Sequence, residues 1–221
     1  MAERPMTPPA RATTTRMFES DFIEWFSRIH PATPFVAWLP VIGFLIYRTV
    51  LAGSVPLPAA VGLFVAGIFI WSIAEYVLHR WVFHWVNDTS WGRRIHFLLH
   101  GVHHDFPNDK DRLVMPLGAS IPMAMIFFFV FRLVLGATRV EPFFAGFILG
   151  YLAYDGTHYA IHHFKQTTRV GKWLRRHHML HHHADHHGGF GVSSPLWDYV
   201  FRTIPEPKRR SRAASPADAN G

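Results

Sequence analysis

The sequence predicts an all-α integral membrane protein, with about four transmembrane helices capped by a cytosolic, histidine-rich helical domain. Several apolar runs approach the roughly 20 residues needed to cross the hydrocarbon core of a bilayer. Sixteen of the 17 histidines fall in tight clusters, each at the same end of an apolar run. The chain has no cysteine, which excludes disulfide scaffolds, iron–sulfur clusters and cysteine zinc fingers. The candidate site is therefore a rim of histidines at one end of a helical bundle.

The two ends of the chain differ in composition from its middle. Residues 1–17 are rich in Pro, Thr and Arg and predict a disordered N-terminal tail, and 208–221 predict a disordered C-terminal tail. We assign 18–207 to one membrane domain. It begins at 18–30 with aromatic and aliphatic residues interleaved with charges, a pattern that predicts a short amphipathic helix at the membrane interface.

Four apolar runs are the candidate membrane spans, at about 35–52, 59–79, 116–137 and 143–163. A short Pro-rich link joins the first two, and a link containing Arg139 joins the last two. The run before the polar 80–115 region ends near histidines, and the run after it begins near them. The sequence therefore predicts two helical hairpins whose open ends carry the histidine clusters.

The distribution of charge predicts the orientation in the membrane. The formal net charge is +7, and the basic residues lie in the N-terminal tail, in 80–115 and after 163. The two short turns contain one basic residue between them. By the positive-inside rule, both tails and all the histidine clusters face the cytoplasm, in a bacterial inner membrane or the endoplasmic reticulum. With this much apolar sequence, we expect no nucleic-acid partner.

The spacing of the histidines predicts a metal site. Residues three or four apart share a helix face, as in His96/His100/His103/His104, His158/His162 and His178/His181/His182. His79 and His84 are five apart, a rotation of about 140° on a regular helix, so we expect the second span to end or bend there. An all-nitrogen ligand shell favours Fe, Zn, Cu or Ni over Mg or Ca. The ligands are too many for one ion, which favours a dimetal site.

Two carboxylates are candidates for orienting the imidazoles. Glu75 lies one turn before His79, and Asp155 lies three residues before His158. Ligating imidazoles usually donate their second N–H to a carboxylate or a carbonyl. The alternative is that each carboxylate caps a helix or reaches the membrane interface.

The histidine-bearing segments resemble the fatty acid hydroxylase superfamily, which includes sterol desaturase-type enzymes, and are most similar to the sphingolipid fatty acid 2-hydroxylases. The resemblance covers about 70–205. The segments that carry it are 79–84, 100–116, 154–162, 178–182 and 189–203.

This resemblance implies a dimetal, O2-dependent monooxygenase. It assigns ten metal ligands: His79, His84, His100, His103, His104, His158, His162, His178, His181 and His182. His96 and His163 lie within the motifs at positions where the family does not depend on histidine, so we expect them to orient or pack. Past His182 the family usually has an aromatic residue, whereas this chain continues with His183, His186 and His187, which leaves an alternative ligand register open.

The resemblance also implies the cofactors, the partners and the substrate. We expect two iron ions in function, with zinc able to occupy the site in purified protein, and O2 as co-substrate. Nothing before residue 70 resembles a cytochrome b5 domain, so electrons are expected from a separate cytochrome b5- or ferredoxin-like carrier and its reductase.

The expected substrate is a membrane lipid, hydroxylated at carbon 2 of a free or sphingolipid-linked fatty acid. It would reach the metals along a groove lined by Phe83, Trp85, Phe97 and Tyr159. The alternatives are a sterol-type oxidase or a carotenoid hydroxylase of the same superfamily and, more remotely, a metal transporter.

Overall fold

The computed structural model describes residues 14–207, and the regular structure within that range is entirely helical. The predictions for 1–13 and 208–221 lie outside the described residues. Within 14–207, eight α-helices follow one another, and π-helical turns interrupt them at Leu78–Phe83 and Phe97–Gly101. The α-helices are α1 (Asp21–Phe26), α2 (Thr33–Ala52), α3 (Leu57–Val77), α4 (Ser90–His96), α5 (Val102–Asp105), α6 (Leu117–His163), α7 (Arg169–His183) and α8 (Leu196–Phe201).

Three helical segments of the described chain are long and apolar enough to cross a membrane: Thr33–Ala52, Leu57–Phe83 and Leu117–His163. Many of their large apolar side chains are exposed in the isolated chain, as expected of surfaces that face lipid. The prediction of an all-α membrane protein is confirmed.

Helix α6 contains the third and fourth predicted spans, folded back on each other. Its 47 residues would extend about 70 Å if straight. Gly136 breaks it with φ 81° and ψ 172°, a conformation that glycine adopts far more easily than other residues. The aromatic rings of Phe131 and Phe143 then lie 4.9 Å apart, as do those of Phe127 and Phe147. The turn is shorter than the link containing Arg139 that the sequence predicts, because the second limb begins directly after Gly136.

Helix α3 packs closely against the second limb of α6. A Cβ atom at Gly67 would lie 2.0 Å from the carbonyl oxygen of Phe143, and one at Gly146 would lie 1.9 Å from that of Phe64. The two backbones can approach only because both positions lack a side chain. Residue numbers rise together along the contact, so the helices run parallel. Both carry their histidines to the same end of the bundle.

Helix α1 is anchored through its one buried acidic side chain. Glu24 accepts hydrogen bonds from the backbone N–H of Met17, at 2.9 Å, and from the Arg112 guanidinium. Phe22 and Trp25 remain 73% and 70% exposed on the opposite side. The helix is shorter than the predicted 18–30 element, but it has the amphipathic character expected of an interfacial helix.

Replacing Gly146 with alanine should destabilise the bundle. The added methyl group would collide with the backbone of Phe64, and relieving such overpacking typically costs about 1–3 kcal/mol. Thermal unfolding in detergent measures the effect. Gly62→Ala is the matched control, because a Cβ at this exposed helical glycine has nothing within 4 Å. Equal melting temperatures for the two variants would contradict the close approach of these helices.

Candidate metal centre

Ten histidines form two groups of five, and within each group one ring nitrogen per residue lies within 4.8 Å of all the others. The first group is His79, His84, His100, His104 and His181, and the second is His103, His158, His162, His178 and His182. These are the ten residues to which the resemblance pointed. The structure brings them together and divides them equally between two sites.

A π-helical turn aligns the first two histidines. The backbone N–H of His84 donates to the carbonyl of His79 at 3.1 Å, the five-residue bond that defines this turn. Residues five apart therefore lie on the same face, which they would not do on a regular α-helix. The bend expected from the sequence takes this form.

Consecutive histidines hold the two groups side by side. Neighbouring residues on a helix point about 100° apart, so His103 faces the second group while His104 faces the first. His181 and His182 divide in the same way. The rings of His104 and His182 stack with their centroids 4.2 Å apart, which joins the two groups directly.

The Nε2 atoms of the first group face one another at the spacing of ligands around a common ion. The distances are 3.2 Å for His79–His84, 3.0 Å for His79–His100 and for His84–His181, and 2.9 Å for His100–His104. Metal–nitrogen bonds of about 2.1 Å place adjacent octahedral ligands about 3 Å apart. Lone pairs that face each other at this distance repel unless a proton or a cation lies between them.

The second group has the same spacing and several unpartnered nitrogens. The Nε2 atom of His178 lies 2.9 Å from that of His162 and 3.0 Å from that of His182. His103 and His158 are buried, and neither ring nitrogen of either residue has a hydrogen-bond partner among residues 14–207. An unpaired buried polar group costs about 1–3 kcal/mol, and a bound ion is one of the few explanations for such a cluster. The donor set therefore fits two transition-metal ions.

Backbone carbonyls orient two imidazoles of the first group. The Nδ1–H of His79 donates to the carbonyl of Phe190 at 2.6 Å, and that of His181 donates to the carbonyl of Gly188 at 2.7 Å. A carbonyl can only accept, so Nδ1 must carry the proton in both rings. The lone pair of each Nε2 is then directed into the group.

Asp198 holds the loop that supplies these carbonyls. Its carboxylate accepts the backbone N–H groups of Phe190 (2.9 Å) and Gly191 (2.8 Å), the Thr203 hydroxyl (2.8 Å) and the His177 Nε2–H (3.0 Å). Burial raises the pKa of Asp198, but these hydrogen bonds outweigh it, so the pKa lies below its usual value. Sequence reasoning missed this role of Asp198 and His177. The only sequence signal was that Asp198 lies within the 189–203 motif.

Glu75 supports the same loop and does not contact an imidazole directly. Its carboxylate accepts the backbone N–H groups of Val192 at 2.7 Å and Ser193 at 2.8 Å, and also the Ser193 hydroxyl. In the part of the chain that the structure describes, no hydrogen bond joins it to a histidine. Its influence on His79 passes through the loop, which differs from the direct contact expected from sequence.

The other three candidate supporting residues have different environments. His96 donates from Nδ1 to the carbonyl of Phe83 at 2.9 Å and so fixes the end of the first π-helical turn. His163 packs against the ring of Tyr159 at 4.5 Å. Asp155 is buried, and its Oδ2 atom has no hydrogen-bond partner within 14–207. It borders a cavity and makes no hydrogen bond to an imidazole among these residues.

The alternative histidines lie outside both groups. His183, His186 and His187 are exposed, whereas His181 and His182 are buried. The ring centroid of His186 lies 5.6 Å from that of His104. The geometry therefore favours the register ending at His182.

A cavity of about 130 Å³ reaches both groups. His100 of the first group and His103 and His158 of the second line it, together with Asp155 and mainly apolar side chains. Of the four aromatic residues expected to line a substrate groove, Phe83 borders this cavity. Trp85, Phe97 and Tyr159 do not line it.

Burial keeps the imidazoles outside the spanning helices neutral. It lowers the pKa of His84 to about 3 and of His181 to about 4, and neighbouring histidines contribute in the same direction. Burial likewise holds the pKa of His100, His103 and His178 well below the usual value. Neutral imidazole is the form that binds metals, so the protein prepares these side chains for coordination.

Comparisons of this chain with known proteins agree on one family. The sequence model of the fatty acid hydroxylase family matches residues 64–203. A dihydroceramide fatty acyl 2-hydroxylase of Arabidopsis thaliana is 42% identical over 202 residues, which are 91% of this chain and 84% of the plant protein. The fatty acid 2-hydroxylase of Rattus norvegicus is 38% identical over 88% of this chain, which spans 58% of the rat protein.

The fold is also similar to that of a solved structure. The structure of Scs7p, in which only the hydroxylase domain is visible, superposes with a TM-score of 0.79 at 35% identity. The superposition covers 86% of this chain and 73% of the Scs7p chain.

Replacing Asp198 with asparagine should weaken metal binding by the first group. The introduced amide NH2 would face N–H donors, so the loop carrying the Phe190 carbonyl would lose part of its anchor. Loss of such supporting contacts typically lowers metal affinity about 10- to 100-fold, which chelator competition can measure. Asp185→Asn is the control, since the Asp185 carboxylate accepts the N–H groups of His187 and Glu206, whereas those of Phe190 and Gly191 are accepted by Asp198. Unchanged affinity in the Asp198 variant would contradict this role.

The stability of the metal-free protein should fall as the pH is lowered. Unfolded histidines have a pKa of about 6.5, whereas folded His181 has a pKa of about 4, so protons bind preferentially to the unfolded chain. This contribution is fully present above pH about 6.5 and is lost as the pH approaches 4. Melting temperatures of the metal-free protein across this range test it. His84→Gln should flatten the pH dependence, and the exposed-site variant His183→Gln should not.

Proposed function

This chain belongs to the fatty acid hydroxylase family, and we propose that it is a membrane monooxygenase that hydroxylates carbon 2 of a fatty acyl chain. The observation that carries the proposal is the shared cavity. An apolar space is bordered by histidines of both five-membered groups, so a lipid chain in it would lie beside two metal ions. The named activities of the Arabidopsis and rat relatives support the choice of carbon 2.

The ten grouped histidines are proposed as the metal ligands, with iron as the functional metal and zinc as a possible occupant in purified protein. Nitrogen ligands of this kind bind zinc more tightly than ferrous iron. When bound, the metals would supply oxygen activation: the net reaction consumes O2, two electrons and two protons, and yields the hydroxyl group and one water.

The protein's own contribution is placement and exclusion of water. The cavity walls near the histidines include Phe83 and Tyr154, which would hold the first carbons of the acyl chain against the site. Holding the reacting carbon at a fixed distance supplies much of the advantage of an enclosed site. The loop fixed by Asp198 and Glu75 keeps His79 and His181 from rotating while the substrate binds.

The proposed substrate is a fatty acyl group that is free or part of a sphingolipid. The Arabidopsis relative is named for dihydroceramide, and the Saccharomyces cerevisiae relative is named for very-long-chain ceramide. We propose that a separate carrier of the cytochrome b5 or ferredoxin type, with its reductase, supplies the electrons. The basic residues near the histidine end support a cytoplasmic orientation of the site.

Replacing His181 with alanine should abolish 2-hydroxylation. His181 is buried, and its removal would leave the first group with four imidazoles. Lipidomics of an expression host measures 2-hydroxyacyl lipids for the wild type, for His181→Ala and for His183→Ala. The last is the matched control, an exposed histidine two residues away on the same helix. Equal amounts of product from wild type and His181→Ala would reject the catalytic assignment.

A further inference from the structure

The cavity beside the histidines is too small for a whole fatty acyl chain. Its volume is about 130 Å³, and since a liquid water occupies about 30 Å³, it holds about four groups of that size. If the proposed function is correct, carbon 2 must lie at the histidines. Most of a long chain must then extend beyond the cavity.

A larger apolar groove lies beside the cavity, with Pro116 in the lining of both. It lies between α1 and the start of α6, has a volume of about 810 Å³, and faces outward. Its lining includes Trp25, Phe26, Ile29, Leu117 and Ile121, which suit hydrocarbon. The groove is large enough for the part of the chain that the cavity excludes.

The cavity and the groove share a wall. Pro116 lines both, and Ser27 borders the cavity while Arg28 and Ile29, next in sequence, border the groove. The segment is held in place by the backbone N–H of Ile29, which donates to the carbonyl of Asp111 at 2.7 Å. The two spaces therefore adjoin at a fixed edge.

Three other spaces near the histidines suit a long chain less well. The opening beside His162 has a volume of about 560 Å³, but Lys165, Lys172, Arg175 and Arg176 line it. The crevice inside the bundle between Trp38 and Trp71 has a volume of about 20 Å³. The opening beside His84 and His104 is about 550 Å³, but Arg80, His186 and His187 line it. Trp81, Val86 and Phe190 also line this opening, but methylene groups gain less beside its basic and imidazole side chains than in the groove, where Arg28 is the one charged lining residue.

We infer that the groove between α1 and the start of α6 binds the distal part of the substrate's acyl chain. This inference rests on the proposed function and names a subsite of it. The exposed aromatic side chains of α1 place the groove at the level where acyl chains leave the bilayer interface. Because the acyl chain occupies the groove, the protein discriminates between substrates by the length of that chain.

Gly118 allows the groove to be filled without disturbing the bundle. It lines the groove, and a Cβ atom there would have nothing within 4 Å. Gly118→Leu therefore adds a side chain to the groove alone. Gly62→Leu is the matched control, another exposed helical glycine with open space around it, on α3 and away from the groove.

The test compares N-stearoyl and N-hexanoyl dihydrosphingosine as competing substrates in detergent. Gly118→Leu should lower kcat/KM for the stearoyl substrate relative to the hexanoyl substrate by about tenfold or more, the usual cost of losing a methylene site. Gly62→Leu should leave the ratio unchanged. Equal losses on both substrates, or no loss in Gly118→Leu, would overturn the inference. If the wild type hydroxylates neither of these lipids nor free stearic acid, the proposed function fails instead.

A binding measurement keeps the inference testable without turnover. An N-stearoyl dihydrosphingosine probe with a mid-chain diazirine should crosslink to 25–29 and 116–122 when irradiated. Excess unlabelled lipid should suppress this labelling, and Gly118→Leu should reduce it while Gly62→Leu should not. Competable labelling confined to other segments would overturn the inference.

Discussion

Everything at the proposed active end depends on ten imidazoles that face one another inside the protein. Neutral rings whose lone pairs face one another about 3 Å apart are unfavourable unless a proton or a cation lies between them. Two of them, His79 and His181, are oriented from outside by carbonyls of one loop, which Asp198 and Glu75 hold through backbone N–H groups. The two buried carboxylates therefore position histidines of the first group through this loop, without contacting those histidines directly.

The helical bundle serves this arrangement by bringing distant segments to one end. Close approach at Gly67 and Gly146 lets α3 and the second limb of α6 run parallel, so His79 and His158 emerge together. The turn at Gly136 returns α6 to the same end from which it started. His103 and His104 are consecutive in the chain, as are His181 and His182, and each pair supplies one histidine to each group. Each pair therefore also links the two groups.

The sequence predicted much of this, and the limits have physical causes. Apolar length predicted the helical membrane class and histidine spacing predicted a dimetal site, because both depend on local periodicity. The set of ten residues came from the resemblance to the fatty acid hydroxylases. Periodicity also indicated an anomaly at His79 and His84, but not that a π-helical turn would resolve it. The role of Asp198 depends on hydrogen bonds to a loop, and the contact of Glu75 is 117 residues away in sequence. Sequence spacing carries no information about such partners.

Elemental analysis of the purified, folded protein tests the central claim most directly. Two groups of five nitrogen ligands should retain two transition-metal ions per chain. We expect inductively coupled plasma mass spectrometry to find about two ions per chain, the number of groups in the structure. Less than one transition-metal ion per folded chain, after reconstitution with iron or zinc, would contradict the assignment of these histidines as a dimetal centre.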